Sequence, residues 1–433
     1  MIKKQIVIVL SLLLFLSGIL IAQQTPASEQ TEAVTITGAT AHLGNGKTIE
    51  NSIIIFENGK LTTVAEANSS IASKGKIIDA KSKHVYPGFI IPNSTLGLGE
   101  IGAVRATRDQ DEIGEMIPHV RSLIAYNAES KIIESLRPNG VLLAQVTPRG
   151  GTISGTSSVV QLDAWNWEDA VIKVDDGIHL NWPNTFKRGR WWLGEPRGFS
   201  PNKKYHEQVN DIKNFMQEAK SYGSGIKNNR HLPYEATQGL FDGQQKLYIH
   251  ANDKRQINDA ISSMKEMDIK HIVLVGGYQA DKTISILKKY NVSVLVRRTH
   301  SLPFSNDDDY DFPYKLPKIL TDNGILVGLE NNGDLERMNS RNLPFYAGQV
   351  VGQGLDKEKA LQLISYNTAK ILGIDDHYGT LEVGKSATLF ISEGDALDMR
   401  TNKLTHAFID GRAISLETHQ TKLYKRYMEK YSK

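Results

Sequence analysis

Tyr86-Pro87-Gly88-Phe89-Ile90-Ile91-Pro92-Asn93-Ser94-Thr95 is the stretch whose reading decides the architecture. Pro87-Gly88 marks a turn, and Phe89-Ile90-Ile91 is a short apolar run of the kind that forms a buried parallel strand. Side chains two apart on a strand share a face, so Asn93 and Thr95 are expected to emerge together at its carboxyl end. In an α/β barrel that end opens onto the functional site.

Downstream, apolar runs alternate with amphipathic stretches, the texture of βα units. Gly140–Val146 reads as a strand entering a Gly/Ser/Thr-rich stretch, Thr147–Ser158, expected to be a flexible loop whose backbone amides can hold an anion. Lys246–Ala251, His271–Gly277 and Val292–Arg298 read as strands, and Gly324–Leu329 as another, ending at Glu330-Asn331-Asn332. Helices are expected over Tyr205–Tyr222, Asp253–Met267, Lys282–Tyr290 and Lys357–Leu372. All five tryptophans, Trp165, Trp167, Trp182, Trp191 and Trp192, fall in one insertion. Such a cluster lines a carbohydrate or peptide groove, or packs as a lid.

Both ends of this region are β-rich. Val34–Ala39, Ser52–Lys60, Leu61–Val64 and Lys76–Asp79 precede it, and Gly379–Ile391 and Phe408–Arg412 follow. The expected fold is α/β: a (β/α)8 TIM-like barrel over 86–375, with a small composite β-sandwich domain from 34–85 and 376–416, and a terminal helix over 417–433. Residues 1–22 read as a signal peptide, with Lys3-Lys4 before an apolar run, and 23–33 as a leader. A secreted, periplasmic protein with no membrane attachment after cleavage is the expectation. The chain has no cysteine, which excludes disulfides and thiolate chemistry, and a formal charge of +3 gives no basic surplus for nucleic acid.

Pro87-Gly88-Phe89-Ile90, Leu343-Pro344-Phe345, Asn367-Thr368-Ala369-Lys370-Ile371-Leu372-Gly373 and Gly379-Thr380-Leu381-Glu382-Val383-Gly384-Lys385 together resemble the imidazolonepropionase-like branch of the amidohydrolase superfamily. The resemblance implies barrel closure and one or two divalent ions, Zn among them, activating water against a carbon–nitrogen bond of the cyclic amide or imide class. It also implies ligands: His-x-His after strand one, Lys or Glu after strand four, His after strands five and six, and Asp after strand eight. Here Asn93 and Thr95 stand at the first pair and His250 at strand five. Gly276-Gly277 stand at strand six, and Asn332 at the Asp position. Gln145 is the nearest polar candidate for strand four. His250, His300, Glu330 and Asp334 near strand ends offer material for a rebuilt site. An Asn amide or Thr hydroxyl is a neutral, weak metal donor, so the expectation is a degenerate metal site with weak or absent catalysis. The alternative is a non-catalytic module that binds a small molecule, pairing with itself or with an active relative.

Overall fold

The computed structural model describes residues 25–432 except 69, 190, 196, 226–228 and 334. The signal-peptide reading and Asp334 therefore lie outside the described residues. From the amino end, β1 (Val34–His42), β2 (Thr48–Glu57), β3 (Lys60–Glu66), β4 (Lys76–Asp79) and β5 (His84–Pro87) lead into β6 (Phe89–Ser94). Next come β7 (Val141–Val146), β8 (Ile153–Gln161), β9 (Val171–Asn181) and a hairpin of β10 (Phe186–Arg188) and β11 (Phe199–Pro201). The chain continues through β12 (Lys246–Ala251), β13 (Ile272–Gly276), β14 (Ser293–Val296) and β15 (Val327–Leu329). It closes with β16 (Leu389–Ser392), β17 (Leu404–Ile409) and β18 (Arg412–Ala413).

Strands β6, β7, β8, β9, β12, β13, β14 and β15 form one eight-stranded sheet in that order. Seven run parallel, but β8 is antiparallel to both β7 and β9. This corrects the expected regular (β/α)8 order, and it turns the second half of the predicted Gly/Ser/Thr loop, from Ile153 on, into a strand. The physical reason lies in β8 itself: Ile153, Val159 and Val160 are buried, and so are Ser154, Thr156, Ser157 and Ser158, whose small hydroxyls find partners inside. Thr156 Oγ1 donates to Pro118 O (2.7 Å), for example.

The sheet curls until its ends, β6 and β15, nearly meet. Leu363 and Ile364 bridge the gap: Leu329 N–H donates to Leu363 O (3.1 Å), and Ile90 N–H to Ile364 O (2.9 Å). Ile90, Leu143, Val159, Tyr248, Val273, Val275 and Leu295 fill the interior, closed by Ala369, Ile371 and Leu372 of the helix Tyr366–Leu372. Burying side chains of this size stabilises by roughly 2 kcal/mol each. One end of the barrel is thus plugged, and the carboxyl ends of the parallel strands form the open mouth.

The chain ends meet as expected in one hydrogen-bonded sheet, which curls over a shared core so that Phe56 of β2 meets Phe408 of β17 (ring centroids 5.0 Å). Its order is β18-β17-β16-β5-β1-β2-β3, with β4 beside β1. β5 makes this possible by pairing parallel with β1 and antiparallel with β16. The helices match expectation at Tyr205–Ser224, Lys254–Glu266 and His419–Tyr431; over 282–290 only Ile284–Lys289 is α-helical. The single helix expected over Lys357–Leu372 is broken into Lys357–Gln362 and Tyr366–Leu372 where Leu363 and Ile364 bridge the barrel.

Candidate active site at the barrel mouth

Asn93 does not continue its strand regularly. Its backbone is left-handed (φ 52°), a region that Asn tolerates better than most residues, and the β6–β7 register shifts there. The freed Asn93 N–H donates to the side-chain Oε1 of Gln145 (2.9 Å). The kink separates the two predicted neighbours. Asn93 Nδ2 donates to Glu330 Oε2 (3.2 Å), whereas Thr95 turns to Glu336, donating through Oγ1 (2.6 Å) and N–H (3.1 Å) to Oε2. Ser94 Oγ donates to the other oxygen of Glu336 (2.6 Å).

A cation occupies this corner. Arg149 enters from the connection after β7, its Nη1 donating to Asn93 Oδ1 (2.9 Å) and its Nη2 to Asn93 O (2.7 Å). Its charge acts on Glu336 and Glu330. Glu330, fully buried immediately after β15, has its carboxyl pushed up to about 7 by burial, against the opposing pull of the Asn332 N–H and Arg149. Asn332 N–H donates to Glu330 Oε2 (2.5 Å), and Glu330 Oε1 has no partner among the described residues. Asn332, expected at the acid position, thus serves the acid through its backbone while Glu330 supplies the carboxylate.

Across the mouth, His250 projects from β12 as expected. Its Nε2 lies 2.9 Å from His179 Nδ1, and His179 Nε2 lies 3.0 Å from Ser157 Oγ. Ser157 Oγ in turn donates to Asp176 Oδ1 (2.7 Å). Asp176 Oδ2 accepts from Tyr248 OH (2.6 Å) and Gln145 Nε2 (2.9 Å). Burial holds the Asp176 carboxyl above its ordinary value, against the hydrogen bonds from Tyr248 and Ser157; when it is ionised, each link has one consistent polarity. Ser157 spends its proton on Asp176, so His179 donates through Nε2 and accepts at Nδ1 from His250 Nε2–H, leaving His250 Nδ1 bare. Burial and, secondarily, the Arg149 charge push the His250 imidazole down to about 3; burial and the neighbouring His250 hold His179 well below its ordinary value.

The remaining predicted positions fall as follows. Gly276 ends β13 with a left-handed backbone (φ 91°) and brings no side chain. Gln145 belongs to the second barrel strand, not the fourth, which corrects its proposed place; the fourth is β9, carrying His179. His300 is exposed. His179, Asp176, Ser157, Tyr248, Arg149 and Glu336 were not anticipated. The stretch expected to be a tryptophan-rich insertion, 165–192, contains the barrel strand β9, within which Asp175 takes a left-handed backbone (φ 50°). Among the described residues no group of three or more His, Asp or Glu side chains has an arrangement that holds a metal ion. A cavity of about 260 Å³ opens beside the cluster, lined by Thr95, Gln110, Arg149, Asn332, Glu336 and Arg337 among others.

The amidohydrolase family model matches residues 195–414. Adenine deaminases from two Clostridium botulinum strains, 657 (Type Ba4) and ATCC 19397 (Type A), are each 20% identical over 395 residues, which is 89% of this chain. The chain spans 58% of the length of these relatives. Among solved structures, an amidohydrolase from Thermotoga maritima MSB8 superposes with a TM-score of 0.77 at 21% identity, covering 88% of this chain and 99% of that one. An adenosine deaminase from Xanthomonas campestris with bound zinc gives 0.52 at 10% identity, covering 92% and 97%. The family match extends over just over half of the chain, from within the barrel into the terminal sheet, and on it the chain belongs to the amidohydrolase family.

Proposed function

We propose that the barrel mouth binds a small molecule of the cyclic amide, imide or related carbon–nitrogen class without the help of a divalent ion, and that hydrolysis there is weak or absent. The family, and the adenine deaminases among the relatives, support the ligand class. The single observation that carries the metal-free reading is Arg149: a permanent cation bonded to both the side chain and the backbone of Asn93, where the resemblance expects the first metal ligand. A guanidinium repels a second cation, and Asn93 Oδ1 is already engaged by it. The other donors are partly engaged and do not converge: Glu330 Oε1 has no partner among the described residues, but no group of three donors gathers around it. Glu330 Oε2 holds two N–H groups, and the two imidazoles face each other rather than a common point. As arranged, this donor set does not fit a zinc-class ion.

The mouth offers the ligand a positive group, the Arg149 guanidinium, and a negative one, Glu336, on one wall of the cavity. That polarity suits the N–H and C=O edges of an amide or imide. Of the two functional expectations, the binding module is therefore favoured over the hydrolase. Export through residues 1–22 belongs to the same proposal.

Elemental analysis tests it. The purified chain, incubated with zinc and dialysed, is expected to retain far less than one equivalent. Retention near one equivalent, abolished by His250→Ala, would overturn the proposal.

A further inference from the structure

The same end of the barrel carries a second cavity, of about 250 Å³, on the side of β9, β12, β13 and β14 rather than beside β6, β7 and β15. Tyr278 and Phe304 form one wall. Their rings are parallel, 4.0 Å apart with 7° between planes. Tyr278 OH donates to Asp308 Oδ2 (2.8 Å) and accepts from Phe304 N–H (3.0 Å), so the pair is locked. The β10–β11 hairpin supplies Phe186 and Phe199, 56% and 71% exposed, as an apolar surface that the described chain leaves uncovered. Asp253 and Asp308 complete the lining.

The polar character of this cavity is one-sided. Two carboxylates line it and, among the described residues, no Lys, Arg or His does. The Arg297 guanidinium sits over the Phe304 ring (5.3 Å) but outside the lining. Several side-chain donors at the wall are already engaged. Gln256 Nε2 donates to Pro183 O (2.9 Å) and Asn184 Oδ1 (3.1 Å), and Thr185 Oγ1 to Asp253 Oδ2 (2.6 Å). Acceptor capacity is left over at Asp308, whose Oδ2 accepts from Tyr278 OH and from Ser305 N–H (3.2 Å), since a carboxylate offers about four acceptor sites. An anion meets the repulsion of two carboxylates, and a neutral sugar gains nothing from their charge. A positive N–H group on a compact hydrocarbon body suits these features together: ring faces attract a cation, and the carboxylates balance its charge and accept its N–H groups.

We propose that this cavity is a binding site for a small organic ammonium ion, a primary amine carried on an aromatic or branched apolar group. The site is separate from the Arg149 corner, so it stands whether or not the mouth binds metal.

Calorimetric titration of the full chain at constant ionic strength tests it with three probes of one size: benzylammonium, benzyl alcohol and benzoate. Benzylammonium is expected to bind saturably, benzyl alcohol roughly tenfold more weakly, and benzoate not at all. Asp308→Asn keeps an acceptor for Tyr278 OH and is expected to weaken benzylammonium about tenfold. Phe199→Ala, at an exposed position that leaves the fold intact, is expected to weaken it roughly threefold. Absence of saturable benzylammonium binding, equal binding of benzoate, or indifference to both substitutions would each overturn the assignment.

Discussion

Arg149 brings a full charge to a barrel mouth that already holds Glu330 and Glu336, and Asn93 anchors it through two hydrogen bonds. Removing one partner of a buried charge set strands the others, typically at several kcal/mol. Arg149→Met is therefore expected to lower the unfolding free energy by about 3 kcal/mol in urea titrations. Glu330→Gln removes a stranded negative charge, so the double variant should lose distinctly less than the sum of the two single losses. Additive losses would show that the guanidinium and Glu330 are uncoupled. At this scale Asn93, Thr95 and His250 were legible because each sits in a recognisable motif or at a strand end. Arg149 was not: Pro148-Arg149-Gly150-Gly151 reads as a plain connection, and its course across the mouth follows from contacts distant in sequence, such as Arg149 N–H donating to Gln110 O (2.6 Å).

Among the elements, β8 departs furthest from expectation. Its glycine has low intrinsic strand preference and its serines are turn formers, and tertiary burial overrides both. Gly155 shows how specific that accommodation is. Its φ is 130°, and a Cβ there would lie 2.4 Å from Val120 O. Gly155→Ala is expected to destabilise the chain by about 2 kcal/mol, read as a lowered urea midpoint with an unchanged slope. A neutral result would mean that the strand end can shift. The β9 strand was obscured for a related reason. Asp-Gly is turn chemistry in a short window, yet here Gly177 is needed where Tyr248 passes, since a Cβ would meet its ring at 2.4 Å.

At the scale of the molecule, the terminal sheet and the barrel meet at a histidine pair. His42 Nδ1 lies 2.7 Å from Glu358 Oε1, and His42 Nε2 lies 3.0 Å from His84 Nδ1. Tyr86 stacks on His42 (4.3 Å), and Lys357 with Asp395 completes the charged surroundings. Burial, then the His42 and Lys357 charges, hold His84 below its ordinary 6.5, against Asp395 and Glu358. The folded state thus binds fewer protons than the unfolded chain between that depressed value and 6.5, so this contribution to stability is present above 6.5 and is lost as pH falls. His84→Gln is expected to flatten the fall in urea midpoint between about pH 7 and about pH 5. An unchanged slope would place the acid sensitivity elsewhere.

The sequence by itself determined the family, six of the seven parallel barrel strands and the meeting of the two chain ends. Those features rest on local signals: apolar runs of strand length, turn residues beside them, and motifs in a set order. Only the tertiary structure decided that a Gly/Ser/Thr stretch would become a barrel strand, that an arginine would settle on Asn93, and that His179 would face His250. Those outcomes come from pairing, burial and charge neutralisation between segments far apart in the chain, and no window of neighbouring residues contains that information.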